Sequence, residues 1–259
     1  MAHFPTPPFL ARFWTDAFDL EAHLGAFLNL KPEQLAIRLQ ESQQQLAALG
    51  RRDFDWAAAS EFYRDRVGEI YLLELSAWHL SSRDYIGDTL RLVSDRARGR
   101  VLDFGGGIGT HTLGAALSPQ VEQVVFCDLN PRHCEFVTAR AQKLGLEAKI
   151  TCQAAIADGE SFDTILCFDL LEHLPDPSAQ LRWFHRALAP EGHILLNWYF
   201  FKGFEQEFPF HLEDPVQVDH FFCTLQDHFL EVFHPYYITA RCYRPRPAPL
   251  PAAVRPSAP

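Results

Sequence analysis

The chain has 259 residues, 47% of them hydrophobic, enough for one large α/β core with a helical attachment and a tight fit for two catalytic domains. Lys and Arg total 23 against 33 Asp and Glu, a formal charge of -10 with the basic residues scattered, which disfavours a nucleic acid as partner. No apolar run approaches the ~18 residues of a membrane-spanning helix, and the six cysteines form no CxxC pair, so they are expected as thiols in a reducing cytoplasm rather than as a zinc site.

The start, "MAHFPTPPFL", is too rich in proline and too poor in positive charge for a secretory leader, and an ordered strap or a loose arm is expected. Residues 11–98 carry almost no strand signal. Pro32 followed by "EQLAIRLQESQQQLAAL" and Gly50 predicts a helix with proline in its first turn and a glycine stop. A second helix is predicted through "WAAASEFYRD" with Asp53 or Asp55 as cap, a third through "GEIYLLELSAWHL" and a fourth through "SRDYIGDTLRLVSDRA". Trp14, Trp56, Tyr63, Tyr71, Trp78 and Tyr85 are spread along this region. The last helix is expected to pack on a sheet, leaving the earlier ones for a cap or a dimer surface.

From Gly99 short apolar runs alternate with helices. "RVLDF", "VEQVVFCDL", "AKITC", "FDTILCFDL" and "GHILLNWYF" read as strands, and "THTLGAAL", "PRHCEFVTARAQKLG" and "PSAQLRWFHRAL" as the helices between them. Such repetition implies a doubly wound, mostly parallel sheet with helices on both faces. "DPVQVDHFFCTLQDHF" follows as a helix capped by Asp214, and "FLEVFHP" with "YYITARCYRP" is predicted as an antiparallel pair at one edge, making seven strands. The expected organisation is a helical region over 1–81, an α/β domain over 82–243, and a proline-rich, disordered tail over 244–259.

The run "VLDFGGGIGT" supplies the first functional signal. In an open α/β sheet the ligand lies beyond the carboxyl ends of the strands. Gly105, Gly106, Gly107 and Gly109 let the backbone turn tightly and approach a ligand, while the following helix start adds partial positive charge. No lysine follows, as a phosphate loop would need, and Thr110 stands where a GxGxxG dinucleotide loop needs its last glycine. Asp103 would face a pyrophosphate unfavourably and is better placed beside a cation.

These residues resemble the first motif of the class I S-adenosylmethionine-dependent methyltransferases. The resemblance, over about residues 82–243, implies that Gly105, Gly107 and Gly109 hold the methionine part of S-adenosyl-L-methionine and that Asp103 helps orient its amino group, with Gly106 an extra, permissive glycine. Asp128, 25 residues beyond Asp103, has the offset of an acid that accepts from ribose hydroxyls, and the family implies the same role. Leu129 is expected beside the adenine, and Gln153 stands where relatives often carry the acid that contacts the adenine amino group.

"CFDLLEHLPDP" looks like the family's EHLxDP segment and delivers Asp169, Glu172 and His173 to the border between methyl donor and acceptor. Quinone-biosynthesis O-methyltransferases resemble it in spacing and are thought to place a divalent ion there. Metal-free relatives carry the same Glu-His pair, so no metal is expected. His173 is a candidate base for a hydroxyl or amine acceptor, and His211, in the aromatic stretch "NWYFFKGFEQEFPFHLEDP", is a second. Trp198, Tyr199 and Phe204 are candidates for one acceptor wall, and Tyr63, Tyr71 and His79 for the other. "LAPEGHILL" is expected to turn at Pro190 and Gly192 into the fifth strand.

The sequence thus predicts in-line methyl transfer from S-adenosyl-L-methionine to an oxygen or nitrogen of a small molecule, in the cytoplasm, with a possible homodimer through the helices. An NAD-dependent oxidoreductase and a noncatalytic interaction protein are the competing readings.

Overall fold

The computed structural model describes residues 7–49, 58–205, 208–234 and 240–247. Expectations for the first six residues, Trp56, the caps at Asp53 and Asp55, and the tail beyond 247 lie outside the described residues.

Strands β1 (Gly99–Phe104), β2 (Val121–Cys127), β3 (Ile150–Gln153), β4 (Phe162–Cys167), β5 (Leu188–Leu196), β6 (Phe229–Val232) and β7 (Arg241–Pro245) form one sheet. Its order is β3-β2-β1-β4-β5-β7-β6. All neighbours are parallel until β7, which runs antiparallel to both β5 and β6. Strand order reverses between β1 and β4, so the cleft beyond their carboxyl ends is the place for a ligand.

Burial alternates along the strands, as a pleated sheet covered on both faces requires. Val101, Val124, Phe126, Leu166, Leu195 and Cys242 join one core cluster. Leu102, Val125, Ile165, Ile194, Leu196 and Tyr243 join the other. The first face is covered by α6 (Arg83–Arg96), α7 (Thr110–Leu117) and α8 (Pro131–Leu144), the second by α9 (Pro177–Ala187) and α10 (Pro215–His228). The helices start where capping chemistry demands: Asn130, Asp176 and Asp214 each precede a proline and accept backbone N–H groups of the first turn.

Before the sheet come α1 (Pro8–Arg12), α2 (Leu20–Leu28), α3 (Pro32–Leu49), α4 (Ala59–Glu61) and α5 (Gly68–Ser81), with π-helical turns at Phe13–Ala17 and Phe62–Arg66. The first helices are not left free: Leu10, Phe13, Leu20 and Leu24 are buried in the same cluster as Val101 and Phe126. Arg140 of α8 fastens them. Its guanidinium, 1% exposed, donates to the carbonyls of Ala17 and Ile108 and to His23 Nδ1 at 3.2 Å, joining the amino-terminal helices to the glycine loop.

One element departs from its expected form. Strand β5 takes in all of "LAPEGHILL": Leu188 already pairs with Phe162 and His193 with Thr164, so the three residues in excess form a bulge at Pro190 and Gly192, where the turn was expected. Among the described residues no helix is long and apolar enough to cross a membrane.

Candidate active site

Two cavities meet over the carboxyl ends of β1, β2 and β4. The first, of about 400 Å³, is floored by Asp103, Gly105, Gly106, Gly107, Asp128 and Leu129. The second, of about 510 Å³, lies between α5 and the segment after β5. Tyr63, Tyr71, Leu75, Trp78, Asp169 and His173 line both, so a molecule in one would face a molecule in the other across these side chains.

The glycine loop reverses through three left-handed residues, Gly105 (φ 71°), Gly107 (φ 54°) and Gly109 (φ 76°). The three do different things. Gly105 and Gly107 border the first cavity, and a β-carbon at Gly105 would also collide with Leu170 Cδ2. Gly109 does not; a β-carbon there would lie 2.5 Å from Val137 of α8, so its glycine is demanded by packing as well as by φ. Gly106 is not permissive either, since a β-carbon would meet the Phe126 ring at 2.7 Å and the Asp103 carboxylate at 2.8 Å.

Asp103 is buried at the end of β1 and accepts from the Thr112 hydroxyl of α7. Desolvation raises its pKa to about 7, the Thr112 hydrogen bond opposing the rise. A cation in the cavity would restore its charge. Each Asp128 oxygen accepts one loop amide, Oδ2 from Gly107 at 2.9 Å and Oδ1 from Asn130 at 2.8 Å. A carboxylate offers about four acceptor positions, so two remain for hydroxyl groups. A sulfonium nucleoside with a charged amino group fits this donor and acceptor set.

Gln153 is not brought to the cavity: its carbonyl accepts from Asp128 N at 3.1 Å, while Ala154, Ala155 and Ile156 supply the wall. Among the described residues, no acidic side chain from this strand end lines the cavity. His79 joins this first cavity rather than the acceptor side, with Nδ1 2.7 Å from Thr110 Oγ1.

The second cavity is aromatic. Trp198, Tyr199 and His211 line it as expected, whereas Phe204 is 95% exposed and does not. Helix α5 presents Tyr71, Glu74, Leu75 and Trp78 as one stripe at helical spacing. Burial pushes Glu74 up to about 7.

His173 and His211 come together, ring centroids 4.8 Å apart at 82°. His173 Nδ1 lies 3.2 Å from the Phe210 carbonyl and 3.1 Å from the Tyr63 hydroxyl, and His211 Nδ1 lies 3.0 Å from the Phe201 carbonyl. Burial, with His211 adding to it, lowers His173 to about 3; burial lowers His211 as well. Both rings are therefore neutral near pH 7. Glu172 is buried beside them, raised to about 8 by desolvation and then by Asp169.

Sequence reasoning passed over a network at the junction of the cavities. Asp169, itself at φ 51°, accepts from Tyr85 Oη at 2.7 Å and from Asn197 Nδ2 at 2.8 Å, and Asn197 Nδ2 also donates to Tyr85 Oη at 2.7 Å. Asn197 closes the circle by accepting Asp169 N–H at 2.7 Å. A polar residue ending the apolar run "HILLN" was the available signal for Asn197.

A family model described as "Methyltransferase domain" matches residues 77–213, a span that begins inside α5 and includes the glycine loop, Asp128 and the paired histidines. The chain belongs to the methyltransferase-domain family. Among curated proteins it is similar to the ubiquinone biosynthesis O-methyltransferase of Xanthomonas euvesicatoria pv. vesicatoria (strain 85-10), 31% identical over 118 residues, 44% of this chain and 47% of the relative. The protein of that name in Xanthomonas oryzae pv. oryzae (strain PXO99A) is 34% identical over 122 residues, with the same coverage. The chain thus spans about half the length of the curated relatives it matches. Among solved structures, the N-methyltransferase NodS from Bradyrhizobium japonicum WM9, in complex with S-adenosyl-L-homocysteine, has a TM-score of 0.53 at 20% identity, covering 68% of this chain and 95% of that one. This last likeness is one of fold.

Proposed function

We propose that the protein transfers the methyl group of S-adenosyl-L-methionine to an oxygen or nitrogen of a small molecule. The observation that carries this is the pair of confluent cavities: one bordered by the glycine loop and Asp128, the other aromatic and ending on His173 and His211. Asp128 would accept the ribose hydroxyls, Asp103 would hold the cofactor's amino group in its charged form, and Leu129 would flank the adenine. Gly105 and Gly107 would let the methionine part approach the backbone.

The bound cofactor supplies an activated methyl group. The chain's own part is alignment and exclusion of water, and holding reacting atoms about 3 Å apart and in line accounts for several kcal/mol of the barrier. His173 and His211, neutral and at the junction, are placed to take the acceptor proton. A ring lowered to about 3 is a weak base, so His211, which also lines the acceptor cavity, is the better candidate.

The family membership supports methyl transfer over hydride transfer. The ubiquinone biosynthesis O-methyltransferase relatives support a small acceptor. The -10 charge supports the absence of nucleic acid partners, and a cytoplasmic location belongs to the same reading. A homodimer through the amino-terminal helices belongs to the same reading, with Ile37 of α3, 57% exposed, on the available face; sedimentation of an Ile37→Glu variant tests it. Calorimetric titration with S-adenosyl-L-homocysteine and with NADH tests the core of the proposal: saturable binding of the first alone is expected, and binding of NADH alone would overturn it.

A further inference from the structure

We propose that Glu172, His173 and His211 form a binding site for one divalent transition-metal ion at the floor of the acceptor cavity. Each offers a ligand atom, and the three atoms lie within 4.8 Å of one another. Glu172 is 2% exposed and its Oε2 has no hydrogen-bond partner, a costly arrangement for a buried carboxyl group unless something else occupies that lone pair.

The histidines are prepared for the same task. A backbone carbonyl accepts and cannot donate, so the contacts of His173 Nδ1 with Phe210 and of His211 Nδ1 with Phe201 place the proton of each neutral ring on Nδ1. The lone pair is then on Nε2. Carbonyl-anchored imidazoles of this kind are the usual outer support of a metal-ligating histidine. The two chain segments are tied beside the site by Leu212 N–H donating to the Glu172 carbonyl at 2.7 Å. Ligand atoms about 2.1 Å from a shared ion stand roughly 3.0–3.4 Å apart, so side-chain rotation has to bring the widest-spaced pair roughly 1.4–1.8 Å closer.

The ligand set differs from the one that spacing along the sequence would choose. Asp169, the first acid of "DLLEH", is occupied by Tyr85 and Asn197, and His211 arrives from beyond β5 to take the third position. Two imidazoles and one carboxylate suit zinc, cobalt, iron or manganese better than magnesium or calcium. Resting on the methyl-transfer reading, such an ion would hold an acceptor oxygen and lower its pKa. Ion binding itself does not depend on that reading.

The test is titration of the chelator-stripped full chain with Co²⁺ and Zn²⁺, followed by calorimetry and by the visible absorption of bound Co²⁺. One ion per chain is expected. His211→Ala and Glu172→Gln should each weaken Co²⁺ binding by at least about 100-fold, while Asp169→Asn leaves it unchanged. Circular dichroism and S-adenosyl-L-homocysteine binding accompany each variant. If Glu172→Gln does not fold, His211→Ala carries the test alone. A folded parent chain that binds no stoichiometric Co²⁺, or a His211→Ala chain that binds it undiminished, would overturn the site. Loss of Co²⁺ binding by Asp169→Asn alone would overturn the ligand assignment. Cofactor binding without ion binding sinks this site only, and ion binding without cofactor binding sinks the methyl-transfer reading only.

Discussion

Replacing Gly109 by alanine separates a glycine required by packing from one required by a ligand. The residue sits at φ 76°, where a β-carbon costs ~1–2 kcal/mol. That atom would also lie 2.5 Å from Val137 Cγ2, and Val137 is fully buried in α8. Overpacking of this kind costs ~1–3 kcal/mol, so the total is ~2–5 kcal/mol. At 2–4 °C per kcal/mol for a chain of this size, Tm should fall by ~4–20 °C in scanning calorimetry. Val137→Ala removes the collision and leaves the backbone strain. The double variant should therefore be more stable than the sum of the single changes by ~1–3 kcal/mol. Because Gly109 does not border the cavity, the folded variant should keep its affinity for S-adenosyl-L-homocysteine, whereas Gly107→Ala, which borders the cavity and whose β-carbon would meet only Leu75 Cδ1 at 3.0 Å, should lose it. A Gly109→Ala chain melting with the parent, or strictly additive energies in the cycle, would refute the reasoning.

Asp128→Ala should weaken S-adenosyl-L-homocysteine binding by ~10- to 150-fold in calorimetry, the loss of ~1.5–3 kcal/mol of charged hydrogen bonding; an unchanged Kd would remove Asp128 from the ribose site. Arg140→Met should cost ~3–6 kcal/mol, since two buried carbonyls lose a charged donor, and chemical denaturation reads it. The pH dependence follows from opposed groups. Asp103, Glu74 and Glu172, raised to about 7, 7 and 8, keep in the folded chain protons that the unfolded chain releases above pH ~4, so they lower stability as pH rises to 8. His23, His111 and His173, lowered to about 4, 3 and 3, do the reverse between those values and pH ~6.5. The two sets offset each other up to pH ~6.5, beyond which the carboxyl groups act alone, so Tm should decline from there to pH 8, and less in Glu74→Gln. A Tm that rises across that interval would contradict the assignment.

What was legible in the sequence was what periodicity and local chemistry decide. The spans of α7, β2 and α8 follow from apolar alternation punctuated by the glycines, Asn130 and Pro131, all near neighbours in the chain. Helix α2 was passed over although Asp19 accepts Ala22 N–H at its start and Asn29 ends it in a left-handed conformation. It is short, and its partners lie far along the chain, as Phe27 against Phe136 of α8. Gly106 was misread for the same reason: its need for glycine comes from Phe126, twenty positions on, and cannot be seen from the loop. The pairing of His173 with His211 and the capture of Asp169 by Tyr85 are likewise products of three segments folding together.

This division of information explains why the chain declares its cofactor more readily than its acceptor. The span shared with the family begins at residue 77, so it contains the loop with Asp103, Asp128 and Asp169 of the first cavity. Phe62, Tyr63, Tyr71 and Glu74 precede that span and Arg241 follows it, yet all five line the second cavity. On the methyl-transfer reading, one wall of the acceptor site is therefore supplied by α5 and the turn before it, outside the shared span. That stripe is positioned from its amino-terminal end: Tyr63 Oη meets His173, and the Gly68 carbonyl accepts from Asn130 Nδ2. New side chains on that face of α5 would reshape one wall of the second cavity while leaving the bonds of Tyr63 and Gly68, and the facing wall of Trp198, Tyr199 and His211, in place.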